Sequence, residues 1–296
     1  MVDFPERKAP LQKQMLSMEN EPLISIVMAA RNAADHIQEA IGSVQAQTWR
    51  NWELIVVDNA STDATALLVQ QYKDPRIRLL HQATKGVGHA RNTALAIITG
   101  EFYCFLDADD ELPPSSLADR ATLLLADPAV HFADGPTQAF NASTKNLWTR
   151  SPSYSGPAPL TELFSISSRC FVGVTWMIRR SDGLVPLFRT DMTHAEDLLY
   201  FMSIAHAGAY RHTTKPVCHY RVGHVSAMSD LHGLHKGYRQ LVLAMPDLPV
   251  PPTNETLRLA WKKIRRILWK SYLKRGKIRS SIAVMLEGCP VRSDRK

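Results

Sequence analysis

Three carboxylates stand within four residues at the end of an apolar run. Asp107, Asp109 and Asp110 follow the segment Phe102–Leu106. At an effective dielectric of about 20 and a separation of about 6 Å, carboxylates repel each other by roughly 2–3 kcal/mol per pair. A fold tolerates that cost when a cation or hydrogen-bond donors occupy the site. Because the Asp-x-Asp spacing suits a hard divalent ion that also holds phosphate oxygens, we predict a metal–phosphate function for this segment.

Two other acidic positions could also do chemistry. Asp58 follows the apolar run Glu53–Val57, where it could contact a ligand, cap a helix or form a turn. Glu196 and Asp197 are adjacent at the start of a predicted helix. Taken alone, this pair could simply complement the helix dipole. The residue types therefore leave a structural and a chemical role open at both positions.

The elements that must position these acids follow from the apolar pattern. Short continuous runs rich in Ile, Val and aromatic residues predict buried parallel strands at Leu23–Ala30, Glu53–Val57, Ile77–His81 and Phe102–Leu106. Helical periodicity lies between them, at 33–47, 62–72 and 88–99. This alternation predicts a parallel sheet with covering helices. Ligands of such sheets bind outside the carboxyl ends of the strands, which is where Asp58 and Asp107 stand.

Composition and charge exclude several classes of protein. The 296 residues are 45% hydrophobic and 21% charged, which excludes a wholly disordered or fibrous chain. The net charge is +7, yet ten basic residues and no acid lie between Thr256 and Leu286, so the remainder carries a charge of −3. A slightly acidic body with a basic tail argues against the uniformly basic surface of many nucleic-acid binders.

The cysteines and apolar stretches predict the compartment. Cys104, Cys170, Cys218 and Cys289 are dozens of residues apart without a CxxC pair, which excludes a zinc ribbon and favours a reducing compartment. The longest strongly apolar stretch has eight residues, and residues 1–20 show no secretory signal. We therefore expect neither a signal peptide nor a transmembrane helix.

A glycine-rich loop offers an alternative function. The segment Lys85–Asn92 approaches the G-x-G-x-x-G pattern of dinucleotide-binding folds, but Arg91 stands where the third glycine belongs. Asp107 follows this loop by about 20 residues, the spacing at which a dinucleotide-binding fold keeps its ribose-binding acid. Against this function, Asp109 and Asp110 would place further negative charge beside an anionic dinucleotide. A nucleotide-binding oxidoreductase therefore remains an alternative.

Four segments in succession carry a family resemblance. They are ISIVMAARN (24–32), ELIVVDNASTDAT (53–65), KGVGHARNTAL (85–95) and GEFYCFLDADD (100–110). Together they resemble the family 2 glycosyltransferases of the GT-A fold, of the bacterial surface-glycan type. The resemblance implies an α/β chain with a single GT-A domain, whose mostly parallel sheet is flanked by helices. It also implies a nucleotide-sugar donor, a divalent ion (Mn²⁺ or Mg²⁺) and transfer with inversion.

The resemblance also assigns residues to the donor side. Asp58 would contact the base, Asp107 the ribose and Asp109 the metal. The remaining predicted nucleotide-binding residues are Ala30, Asn32, Arg91, Ala108 and Arg221, with Arg221 suited to a diphosphate. His224 resembles a late histidine that some relatives bring to the metal or pyrophosphate. The chain departs from the family at Ala30 and Arg31, which replace a proline and an aromatic residue, and at Asn59, which replaces an aspartate.

The acceptor side needs a general base on the attacking hydroxyl. The resemblance assigns this role to Asp197, with Glu196 as the alternative base or as an acceptor contact. The Gln-x-x-Arg-Trp motif of the family's polymerases does not follow the acidic pair. We therefore expect one sugar to be added per encounter.

The basic tail predicts a membrane partner. An apolar stripe with basic residues opposite it suits an anionic membrane surface, and the stripe comprises Leu257, Trp261, Ile264, Leu268 and Tyr272. The alternatives are a helix that packs on the domain and a nucleic-acid patch, and we expect no nucleic-acid partner.

The predicted organisation has three parts. A flexible N-terminus (1–21) precedes the transferase domain (22–226), which has a nucleotide half (22–112) and an acceptor half (113–226). A basic, helical, membrane-associating extension (227–296) follows. We expect a cytoplasmic enzyme, peripheral on the inner face of the cytoplasmic membrane. It would move one sugar to a glycan or lipid-linked acceptor in cell-surface polysaccharide synthesis. A non-catalytic sugar-nucleotide or membrane-binding module is a further alternative.

Overall fold

The computed structural model describes residues 21–141, 143, 144, 147–181, 185–223 and 229–291. The predicted flexible N-terminus therefore lies outside the described residues except for Glu21. The strands are β1 (Ile24–Ala30), β2 (Trp52–Asp58), β3 (Ile77–His81), β4 (Phe102–Phe105), β5 (Val130–Asp134), β6 (Thr137–Phe140), β7 (Trp148–Arg150), β8 (Met177–Arg179), β9 (Ala209–His212) and β10 (Cys218–Arg221). The four strands predicted in the first half are confirmed within a residue at each end.

The helices cover both faces of the main sheet and form the C-terminal part of the chain. They are α1 (Ile37–Gln45), α2 (Thr65–Gln70), α3 (Val87–Leu95), α4 (Ser116–Ala126), α5 (Leu160–Phe164), α6 (Glu196–Ile204), α7 (Leu231–Ala244), α8 (Asn254–Lys274) and α9 (Ile278–Leu286), with a 3₁₀ turn at Met245–Asp247. Each of the three predicted early helices is shorter than its periodic segment: α1 and α2 lose residues at both ends, whereas α3 begins one residue early, at Val87, and loses residues only at its C-terminal end.

The main sheet is mostly parallel. Its seven strands follow the order β3-β2-β1-β4-β8-β5-β9, and β1 pairs in parallel with both β2 and β4. Only β8 runs antiparallel to its neighbours β4 and β5. A second sheet, β10-β6-β7, lies beside it. Since β1, β2 and β4 run in the same direction, the loops that follow them leave the sheet at one edge.

Two apolar clusters cover the faces of this sheet. Alternate residues of β1 and β2 enter opposite clusters, as Val27 and Met28 do. Every residue of β2 is buried, which explains its continuous apolar run. One cluster contains α1 and α4, and the other extends from α3 through α6 to the C-terminal helices.

The apolar stripe of α8 belongs to this second cluster. Leu257, Trp261, Ile264, Leu268 and Tyr272 are each at most 5% exposed. Trp261 lies against the ring of His235 in α7, and the Tyr272 hydroxyl donates to the carbonyl of Leu231. The prediction that this stripe meets a membrane is therefore wrong, and the alternative of a packing helix is correct for α8. Among the described residues, no helix combines the length and apolar character that a membrane crossing requires.

Replacing Trp261 tests whether the α8 stripe is core. We expect Trp261→Ala to lower the free energy of unfolding by about 3–5 kcal/mol, since it removes a large buried ring and leaves a cavity. The matched control is Leu259→Ala, at an exposed position on the same helix, with a change of at most about 0.5 kcal/mol. Urea unfolding followed by circular dichroism measures both, and equal small effects would contradict the packing.

Candidate functional site

The acidic residues predicted from strand ends meet at one edge of the sheet. Asp58 ends β2 directly opposite Ala30, the last residue of β1. The Asn59 amide donates to the Ala30 carbonyl at 2.8 Å, and the Leu106 amide after β4 donates to the Val27 carbonyl at 3.0 Å. These bonds hold the loops that begin at Asp58 and Asp107 side by side.

Asp58 carries an oxygen that suits a ligand. Its side chain is 10% exposed, and its Oδ2 lies 3.5 Å from Nδ1 of His81. Its buried Oδ1 has no hydrogen-bond partner among the described residues. Because a buried carboxylate oxygen without a donor is costly, this position fits a ligand that brings an N–H or O–H group.

Hydrogen bonds join the loops after β1 and β2, and each loop contains a residue with strained backbone. Asn32 and Ala60 have φ values of 50° and 54°, in the left-handed region. Oδ1 of Asn32 accepts from the Thr62 amide at 2.8 Å, while the Asn32 amide donates to Oγ of Ser61. Such strain is typical of ligand-binding loops. Ala30 is itself buried in the sheet core, so the exposed residues at this position are Arg31 and Asn32.

The side-chain amide of Asn59 positions a neighbouring loop, which explains why an asparagine stands here. Its Nδ2 donates to the carbonyls of Gln82 and Thr84, at 3.1 and 2.7 Å, and its Oδ1 accepts from the Gly86 amide at 2.7 Å. An aspartate could not donate the first two bonds. This departure from the family pattern therefore fixes the loop after β3.

The three carboxylates after β4 differ in their exposure to solvent. Asp107 and Asp109 keep solvent contact, whereas Asp110 is 5% exposed and its Oδ1 accepts from the Arg221 amide at 2.8 Å. Burial, with the nearby Asp107 charge second, raises the pKa of Asp110 well above its ordinary value. The predicted repulsion is thus relieved by turning Asp110 inward and favouring its protonated form. Ala108, between the outward pair, is buried.

Arg221 supports this acidic loop from behind. Its Nε donates to the Asp109 carbonyl and its Nη2 to Oε1 of Glu111, both at 2.8 Å. The same nitrogen pairs with Glu39. The predicted diphosphate contact of Arg221 stays a prediction. His224, predicted at the metal, lies outside the described residues.

Arg91 joins a strand-end acid to the acidic pair of α6. Its guanidinium is buried, with Nη2 at 3.0 Å from Oδ1 of Asp107 and Nη1 at 3.4 Å from Oε1 of Glu196. Burial disfavours the charge of Arg91, but the carboxylates of Asp107, Glu196 and Asp197 raise its pKa above the ordinary value. Arg91 is therefore a fixed cation at the centre of the site.

The acidic pair at the start of α6, Glu196 and Asp197, has raised pKa values. Burial, followed by the Asp197 charge, raises the pKa of Glu196 to about 7, while Arg91 opposes the shift. Burial also raises the pKa of Asp197, again against the effect of Arg91. Glu196 is 7% exposed and held by Arg91, whereas Asp197 keeps more solvent contact. A shifted pair of this kind is typical of acid–base chemistry.

An aromatic and amide framework that the sequence analysis missed holds this pair. The Asn92 side chain donates to the Phe188 carbonyl and accepts from its amide, at 2.9 and 2.8 Å. Phe188 stacks on Tyr200 of α6 with ring centroids 4.1 Å apart. Gly88 lies so close to this segment that a Cβ would stand 2.8 Å from the Arg189 carbonyl. Partners 96 residues apart leave no local sequence signal.

Comparison with known proteins supplies the family. The model of the family described as "Glycosyl transferase family 2" matches residues 25–182, just over half of the chain. The chain belongs to glycosyl transferase family 2. The family prediction is confirmed, and membership favours a transferase over the oxidoreductase alternative.

One curated relative illustrates the similarity in sequence. The chain is 42% identical over 104 residues to the UDP-Glc:alpha-D-GlcNAc-diphosphoundecaprenol beta-1,3-glucosyltransferase WfgD of Escherichia coli; the match covers 35% of this chain and 41% of that relative. The chain thus spans less than half of that protein's length.

The solved structures confirm the fold prediction. S. aureus TarS 1–349 in complex with UDP-GlcNAc is similar at a TM-score of 0.62 and 17% identity, covering 88% of this chain and 90% of that one. The mannosyltransferase PcManGT from Pyrobaculum calidifontis, in complex with GDP-Man and Mn²⁺, has a TM-score of 0.59 and 21% identity, covering 92% and 83%. The sheet with flanking helices is thus that of glycosyltransferases.

Proposed function

We propose that this family member transfers one sugar from a nucleotide-sugar donor to a hydroxyl of a glycan or lipid-linked acceptor, with inversion, in cell-surface polysaccharide synthesis. The observation that carries the proposal is the contact of one buried guanidinium, that of Arg91, with both Asp107 and Glu196. It brings a strand-end acid of the nucleotide half beside the shifted acidic pair of the second half.

The donor would bind along the strand ends. The unpartnered Oδ1 of Asp58 would accept from an N–H of the base, which both uracil and guanine offer. Asp107 would contact the ribose from the next strand end. Asn32 and Arg31, exposed on the loop after β1, would line the same pocket. The similar solved structures, which hold UDP-GlcNAc and GDP-Man, support a pyrophosphate-linked sugar as donor.

The outward carboxylates fit a divalent ion. Among the described residues, no group of three His, Cys, Asp or Glu side chains forms a closed metal site. Mn²⁺ or Mg²⁺ would therefore be held by Asp109, next to Asp107, with its other positions filled by phosphate oxygens and water, as Mg²⁺ commonly is. When bound, the ion would neutralise charge on the leaving nucleoside diphosphate.

Asp197 would act as the general base. It would take the proton from the acceptor hydroxyl while that oxygen forms a bond to the anomeric carbon, and the nucleoside diphosphate would leave from the opposite face. The raised pKa of Asp197 brings its basicity closer to the working pH, which favours proton transfer. Arg91 holds Glu196, so Glu196 would orient the acceptor or serve as the alternative base.

The acceptor proposal rests on a relative. The name of the Escherichia coli glucosyltransferase describes a diphosphoundecaprenol-linked acceptor, and we carry a lipid-linked acceptor over to this chain as a proposal. Such an acceptor would place the enzyme at the inner face of the cytoplasmic membrane. Both the Asp-x-Asp segment and the acidic pair are intact, which favours catalysis over a non-catalytic binding module.

Asp109→Asn tests the metal site against a matched control. We expect it to lower transfer by about 10²–10³-fold, since ion binding contributes several kcal/mol at the transition state. Asp110→Asn changes the next residue in the same way, but it imitates the protonated acid that burial favours. Its metal-dependent activity should stay within a few-fold of the unaltered chain. Initial rates with Mn²⁺ or EDTA measure both, and full activity in EDTA would refute the role of the metal.

Asp197→Asn tests the base. We expect the rate of transfer to fall by about 10²–10⁴-fold, with donor affinity nearly unchanged by calorimetry, because the change removes the proton acceptor only. Normal transfer by Asp197→Asn beside an inactive Glu196→Gln would assign the base to Glu196. The anomeric coupling constant of the product, measured by NMR, must show inversion; a retained configuration contradicts the mechanism.

A further inference from the structure

The last helix exposes an apolar surface that the fold leaves uncovered. Ser281 and Val284 are the buried residues of α9. Four large apolar side chains, which we call the α9 ridge, are exposed: Ile278 by 62%, Ile282 by 55%, Met285 by 45% and Leu286 by 81%. Their spacing of four, three and one residues places them on one face of the helix. A contiguous exposed apolar face of this kind is typical of an interaction surface.

The structure holds the α9 ridge in place. Gly276, with a φ of 69°, allows the tight turn that folds α9 back onto α8. Arg265 of α8 donates to the carbonyls of Met285 and Glu287, at 2.8 and 2.7 Å. Nε2 of His235 in α7 lies 2.7 Å from Oε2 of Glu287. Both ends of α9 are therefore anchored, and the ridge is a preformed surface.

Cations lie at the N-terminal end of the α9 ridge, where Lys277 and Arg279 flank Ile278 in sequence, and on the last turns of α8. Lys270, Lys274, Lys277 and Arg279 are exposed, and the sequence has no acid between Thr256 and Leu286. Within the part of the chain that the structure describes, no ion pair neutralises these four side chains. The positive charge next to the ridge therefore selects an anionic partner.

The combination of aliphatic ridge and cationic border favours one occupant. A second copy bound through the same face would bring two sets of cations together, which is unfavourable. A nucleic acid would use the cations, but the aliphatic ridge offers its bases no aromatic ring to stack on. A bilayer with anionic headgroups satisfies both parts, since apolar side chains enter the headgroup boundary while Lys and Arg meet the phosphates.

We propose that the α9 ridge docks this protein on an anionic lipid surface, with Lys274, Lys277 and Arg279 binding lipid phosphates. The biological purpose of this docking rests on the proposed transfer to a lipid-linked acceptor. The contact surface differs from the one that the sequence pattern indicated, because the stripe of α8 is buried and the exposed residues of α9 replace it.

Vesicle sedimentation with the full chain tests the proposal. At low salt the chain should bind vesicles of phosphatidylglycerol and phosphatidylcholine, and it should dissociate from them as the salt concentration rises. It should not bind vesicles of pure phosphatidylcholine. Ile282→Asp should weaken partitioning about fiftyfold or more, because it loses apolar insertion and adds a negative charge. The control Leu259→Asp adds the same charge beside cations, at a position 59% exposed outside the ridge, and should weaken it about fivefold.

Three outcomes would overturn the docking surface. They are absence of vesicle binding at low salt, equal losses in Ile282→Asp and Leu259→Asp, and ridge-dependent self-association in sedimentation velocity. Thermal unfolding of both variants should match the unaltered chain, since both positions are exposed. The assay contains no sugar donor, so an absence of vesicle binding would not count against the proposed transfer reaction. Transfer to a water-soluble acceptor by Ile282→Asp should equal that of the unaltered chain, which separates docking from catalysis.

Discussion

The site depends on one buried cation. The guanidinium of Arg91 contacts Asp107, just after β4, and Glu196, at the start of α6, across 105 residues of sequence. Without its charge, the buried carboxyl of Glu196 and its neighbour Asp197 would lose their opposing charge, which is strongly unfavourable. The same interaction therefore links the loop after β4 to the start of α6, and it opposes the effect of burial on the pKa values of Glu196 and Asp197.

Charge is divided between two regions of the molecule. The strand-end edge is acidic, so an anionic donor there requires a cation, which Arg91 and a divalent ion would supply. The α8–α9 hairpin is basic and carries the exposed ridge. Separating the two charges would let one surface receive the proposed metal-bound nucleotide while the other meets the proposed anionic lipid. The proposed enzyme would thus bind its two anionic partners at different places by different means.

The sequence predicted the strands and the strand-end acids because these signals are local. Apolar runs define β1 to β4, and parallel strands bring Asp58 and Asp107 to one edge. It could not predict the inward turn of Asp110 or the amide bonds of Asn59, since both depend on neighbours distant in sequence. The α8 stripe shows the same limit: an apolar face has one periodicity whether it packs on protein or on lipid. Only the fold shows that helices α5, α7 and α9 pack against α8.

The most direct test is the titration of Glu196, followed by carboxyl-carbon NMR in the unaltered chain and in Arg91→Met. Glu196 should titrate with a pKa of about 7 in the unaltered chain. Arg91 favours the ionised form, so its neutral replacement should raise that pKa and protonate the pair at higher pH. An unchanged or lowered pKa in Arg91→Met would contradict the claim that this cation controls the site.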